Sequence, residues 1–117
     1  MPLKICVIVG SLREGSINRR LANALIHAPE SREHEFVFAD IGSLPLYSQD
    51  QDDQPPASVV ALRELVLGSD ATLFITPEYN RSIPGVLKNA LDHGSRPWGK
   101  SVWKGVPAGV IGTSPGP

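Results

Sequence analysis

Cysteine is nearly absent: the 117-residue chain has one, Cys6. An internal disulfide is therefore impossible, and a reducing, cytoplasmic setting is the expectation. An excess of one charge is absent too. Eleven basic and 12 acidic residues leave a net charge of −1, so no field of either sign favours nucleic acid or an anionic membrane. No apolar run reaches membrane length, and Lys4 is followed at once by a short β-type run rather than a signal peptide core. His27, His34 and His93 lie far apart with no metal-ligand spacing. Two nucleotide signatures are also missing. There is no G-x-x-x-x-G-K-[ST], whose lysine reaches β- and γ-phosphates, and no G-x-G-x-x-G, which cradles a pyrophosphate. What is present is 41% hydrophobic and 20% charged, an ordinary globular composition that fits one domain over residues 1–117.

Leu3 to Val9 is an apolar run interrupted only by Lys4, the mark of a strand covered on both faces. Ile17, Leu21, Ala22, Leu25 and Ile26 then recur at helical spacing, with Gly15 and Ser16 as turn and N-cap. Glu35 to Ala39 reads as a second strand, and 40–55 as a polar, mobile loop whose Asp50, Asp52 and Asp53 face solvent. Pro56 fits the first position of a helix with apolar face Val59, Leu62, Leu65 and Val66, ending at Gly68. Ala71 to Ile75 is a third strand. Ser82 and Pro84 open a helix with stripe Ile83, Val86, Leu87, Ala90 and Leu91, and Val106 to Ile111 is a fourth strand. Trp98 and Trp103, just before it, read as packing or subunit-contact residues.

Strands alternating with helices predict an α/β fold, a doubly wound parallel sheet of the flavodoxin-like order 2-1-3-4-(5). That order needs a fifth strand, and the chain stops at "GTSPGP". The expectation is a domain cut short after its fourth strand, lacking its C-terminal strand and helices.

Two loops carry the chemistry. "GSLREGSIN", residues 10–18, falls between a strand end and a helix N-terminus, where free N–H groups and the helix dipole attract an anion. Ser11, Ser16 and Asn18 add donors and Arg13 a cation, a set that suits a monophosphate better than a triphosphate. Taken alone, the loop reads equally well as a polar turn with a good N-cap. A phosphatase reading fails because Cys6 lies mid-strand, four residues before the loop, as a buried core thiol. "TPEYNRSIPGVLKNALDH", residues 76–93, follows the third strand. Pro77 stiffens this loop, while Glu78, Tyr79, Asn80 and Arg81 offer main-chain donors and a flat aromatic surface for a planar heterocycle. Taken singly, Tyr79 reads as a loop aromatic and Asn80 as a turn residue.

Together with "GTSPG", these stretches resemble the NAD(P)H-dependent FMN reductase family, in particular its chromate and quinone reductase branch, and the resemblance covers the whole chain. It implies FMN at the carboxyl edge of the sheet. Ser11, Arg13, Ser16 and Asn18 would hold the phosphate. Pro77, Glu78, Tyr79 and Asn80 would contact the isoalloxazine with Arg81 and Ser82 close by, and Ser114 would line the other side. It further implies NADPH or NADH as hydride donor, a small-molecule acceptor such as a quinone or chromate, and a homodimer or homotetramer with the helix after Pro84 at an interface. No protein nucleophile is required, since the chemistry belongs to the cofactor. A flavodoxin-like electron carrier is the alternative from another class, and a truncated chain that binds no flavin is the third. Carriers dock redox partners through strong acidity, which a net charge of −1 with an arginine in each loop does not provide.

Overall fold

A computed structural model describes residues 1–114. Four parallel strands, β1 (Lys4–Val9), β2 (Glu35–Phe38), β3 (Ala71–Ile75) and β4 (Ala108–Ile111), form one sheet in the order β2-β1-β3-β4. Three α-helices connect them, α1 (Ile17–Ile26), α2 (Ala57–Leu67) and α3 (Gly85–Gly94).

The alternation of side chains along β1 explains why its sequence is apolar from Ile5 onward. Cys6 and Ile8 point to one face, where Val59, Leu62 and Val66 of α2 and Leu87 and Ala90 of α3 cover them. Val7 and Val9 point to the other, against Ala22, Leu21 and Leu25 of α1. Period-two geometry with helices on both sides leaves no position for a polar residue. Burial pushes the Cys6 thiol up to about 11, so it stays protonated and inert at neutral pH.

Register fixes where the loops emerge. Val9 is paired with Ile75, and Ile75 with Ile111. Three adjacent strands therefore end on one line, and the segments that follow them leave the same edge of the sheet side by side. The chain reverses its order between β1 and β3, the place where open α/β sheets bind ligands.

Several boundaries differ from the sequence expectation, each for a local reason. β4 starts at Ala108 rather than Val106, because Pro107 has no N–H for the ladder and Val106 donates back to the carbonyl of Trp103 at 3.4 Å. Pro56 caps α2 with extended backbone (ψ 155°) instead of joining it, and Pro84 does the same for α3 (ψ 151°). Ser82 belongs to a turn before α3 and not to its start.

The 40–55 loop is not a free polar segment. The N–H of Tyr47 donates to Oδ1 of Asn89 at 2.8 Å, and the carbonyl of Pro45 accepts from Nδ2 of Asn89 (2.9 Å) and Nε2 of His93 (2.7 Å). His93 is buried at this contact. Asp52 is likewise not solvated. It accepts from the Tyr47 hydroxyl at 2.9 Å and from Arg96 at 2.6 Å, with 18% of its side chain exposed. Arg96 beside it holds the carboxyl below the usual aspartate range, helped by the Tyr47 hydroxyl and opposed by desolvation. Of the two tryptophans, Trp103 packs against Phe74 with ring centroids 5.7 Å apart and donates Nε1–H to Leu91, whereas Trp98 is exposed.

A carboxyl depressed in the folded state contributes stability above its unfolded value, lost as pH falls through the folded value. Asp52→Asn should therefore lower the urea midpoint at pH 7, and the gap from the unsubstituted protein should shrink below about pH 4. Urea unfolding followed by circular dichroism from pH 3 to 7 checks this.

Candidate functional site

Three segments leave the carboxyl ends of β1, β3 and β4 and enclose a cleft of about 670 Å³. Its walls are Ser11, Arg13, Ser16, Ile17 and Asn18 from the first segment, Pro77, Glu78 and Tyr79 from the second, and Thr113 and Ser114 from the third. That volume lies within the usual range for a small-molecule site, roughly 300–1,000 Å³.

The first segment is shaped by its own hydrogen bonds. Ser16 N–H donates to the carbonyl of Arg13 at 3.1 Å, closing a turn in which Gly15 takes φ +72°. An L side chain resists that left-handed conformation, and glycine does not. Ser16 then caps α1, its Oγ accepting from Arg19 N–H at 3.2 Å. Since the hydroxyl accepts there, its hydrogen is left to donate elsewhere. The N–H groups of Ile17 and Asn18, in the first turn of α1, have no intrahelical acceptor and lie at the positive end of the helix dipole. This end of the cleft presents hydrogen-bond donors and the positive pole of a helix.

The second segment turns back on itself. Tyr79 N–H donates to the Ser82 carbonyl at 2.8 Å and Ser82 N–H to the Tyr79 carbonyl at 2.9 Å. Between them Asn80 (φ 52°) and Arg81 (φ 63°) are both left-handed, the pattern of a type I′ turn. Asn tolerates this conformation; for Arg81 it is strained, by about 1–2 kcal/mol. The turn leaves Tyr79 half-exposed on the cleft wall.

The third segment depends on close approach. A Cβ on Gly112 would overlap the carbonyl oxygen of Thr76. Thr76 N–H in turn donates to the Ile111 carbonyl at 2.9 Å, so the ends of β3 and β4 are drawn together at a point where only glycine fits.

Of the residues expected from sequence, the structure brings Ser11, Arg13, Ser16, Asn18, Pro77, Glu78, Tyr79 and Ser114 around the cleft. Asn80, Arg81 and Ser82 form the adjoining turn and do not line it. Ile17 and Thr113 line it and were not anticipated. Thr113 lies inside the "GTSPG" stretch and was legible there, whereas Ile17 looked like an ordinary apolar helix position. Among the described residues, no group of His, Cys, Asp and Glu is arranged to hold a metal. Nor is any described helix long and apolar enough to cross a membrane.

Residues 3–117 match the family model of NADPH-dependent FMN reductase. The chain belongs to that family. It is 56% identical over 116 residues to a 2-hydroxy-1,4-benzoquinone reductase of Burkholderia sp, covering 99% of this chain and 63% of that protein. A quinone reductase of Pseudomonas putida is 51% identical over 114 residues, covering 96% and 60%. Among solved structures, FerB, a flavoenzyme NAD(P)H:(acceptor) oxidoreductase from Paracoccus denitrificans, superposes with a TM-score of 0.92 at 50% identity, covering 97% of this chain and 62% of that one. The chain thus spans less than two thirds of the length of these relatives.

Gly112→Ala should lower stability by about 1–3 kcal/mol, because a backbone oxygen cannot rotate aside as a side chain can. Urea denaturation measures this, and an unchanged midpoint would contradict the close approach of the two strand ends.

Proposed function

We propose that the protein carrying this chain binds FMN in the cleft and passes hydride from NADPH or NADH to a quinone or a similar small acceptor, chromate among them. The convergence of three strand ends on one cleft carries this reading: it has anion donors at one end and a flat polar loop with an aromatic at the other. A planar heterocycle with a single phosphate matches both ends better than a triphosphate or a pyrophosphate does. Sequence identity above 50% to two quinone-reducing relatives supports the acceptor class.

FMN, when bound, supplies the hydride chemistry. Ser11, Arg13, Ser16 and the N–H groups of Ile17 and Asn18 receive the phosphate. Pro77, Glu78 and Tyr79 lie along the ring and orient it, and Ser114 closes the opposite wall. Asn80, Arg81 and Ser82 act through the turn that presents Tyr79. A homodimer or homotetramer in the cytoplasm is part of the same proposal.

The decisive experiment is an absorption spectrum of the protein with FMN, followed by NADPH under nitrogen and then benzoquinone. The reading requires a flavin band that bleaches with NADPH and returns with the quinone. A band that ignores both NADPH and NADH would instead indicate an electron carrier. Failure to take up FMN at all would overturn the flavin assignment. Arg13→Gln should weaken FMN by about tenfold or more, the scale of one charge-assisted hydrogen bond, and leave riboflavin, which has no phosphate, unaffected. Titration of both ligands by fluorescence quenching reads this directly.

A further inference from the structure

The Asn18 side chain is 2% exposed, and both its polar atoms are engaged by one distant residue. Oδ1 accepts from Thr113 N–H at 3.2 Å, and Nδ2 donates to the Thr113 carbonyl at 3.3 Å, across 95 positions of sequence. A carboxamide that accepts from and donates to the same backbone residue imitates a strand neighbour. It does so just where the real ladder stops. At the end of β4, Thr76 N–H donates to the Ile111 carbonyl, and Thr113 lies two residues beyond it.

We propose that Asn18 is a positioning residue, a clamp that extends the sheet by a side chain and holds Thr113 and Ser114 on the wall of the cleft. The inference rests on the FMN reading for its ligand, but it assigns Asn18 a different role from that of a phosphate donor. Three features make the clamp specific. Asn18 is in the first turn of α1, whose N-terminus Ser16 has already fixed, so the carboxamide starts from a rigid base. Its bonds are part-buried, where an unmade partner is costly. Gly112 brings the chain within reach, since a Cβ there would lie 3.9 Å from the Asn18 oxygen. With the clamp in place, the segments after β1 and β4 move as one body, and the wall containing Ser114 is set before a ligand arrives. Such preorganisation strengthens binding of whatever lies against that wall, with or without a phosphate.

FMN and riboflavin separate the two roles. A phosphate donor matters to FMN alone, whereas a clamp matters to the ring that both ligands share. Asn18→Ala should weaken FMN and riboflavin by the same factor, roughly tenfold for a lost pair of part-buried hydrogen bonds, so that the ratio of their Kd values stays as in the unsubstituted protein. A variant that loses FMN while binding riboflavin normally would overturn the proposal. Asn18→Asp keeps the side-chain size, guarding against a folding defect, and places a carboxylate oxygen against the Thr113 carbonyl. It should weaken riboflavin as well, and unchanged riboflavin binding would count against the clamp. Amide hydrogen exchange in a peptide covering residues 112–114, without any flavin, gives the independent readout. Both variants should exchange faster there, and protection equal to the unsubstituted protein would overturn the clamp. If the unsubstituted protein takes up neither flavin, the FMN reading falls by itself and the exchange data alone decide the role of Asn18.

Discussion

The register of three neighbouring strands is the constraint on which the site depends. With Val9, Ile75 and Ile111 level across the sheet, the segments after β1, β3 and β4 have no choice but to meet. A slip of one residue in either pairing would move a loop along the edge by one strand step, about 3.3 Å, and turn its side chains to the opposite face. The hydrophobic pattern guards against that slip. Cys6 and Ile8 match the α2 and α3 side, Val7 and Val9 the α1 side, and exchanging them would unseat both cores together.

Around that line, the loops are secured by devices that each use a different chemistry. The first is closed by a left-handed glycine and a serine cap, the second by a turn with two left-handed non-glycine residues, and the third by a glycine pressed against a carbonyl. The strain at Arg81 is notable because it lies beside the cleft, where local strain is tolerated only if the surroundings over-determine the conformation. Here the two Tyr79–Ser82 backbone bonds do so. The geometry gives a cleft whose walls are fixed by the backbone.

On the far side of the core, a second polar assembly ties the long loop after β2 to α3. Tyr47, Asp52 and Arg96 bond to one another, and Asn89 with His93 holds the Pro45 carbonyl. None of these residues lines the cleft. The same loop places Ile41 and Leu44 in the core with α2 and α3. An acidic, glutamine-rich segment that reads as solvated thus becomes a fixed part of the architecture once an arginine more than forty residues later meets it.

Much was legible in the sequence. The apolar run of β1, the Ser16 cap, the helical stripes of α1 to α3 and the order of elements follow from local periodicity and capping chemistry, which depend on neighbours a few residues apart. The two loops with their serines, arginine and aromatic were legible for the same reason. What only the tertiary structure decided were pairings between distant residues: Asp52 with Arg96, His93 with Pro45, Gly112 with Thr76, and Asn18 with Thr113. Each of these assigns a side chain or a bare Cα to a partner far away in sequence, whose position is set by strand register or by how loop and helix pack, and both are properties of the assembled fold. Asn18 shows the difference most sharply. Its place at a helix N-terminus suggested an anion donor, and only the fold shows its carboxamide bonded to the backbone of Thr113.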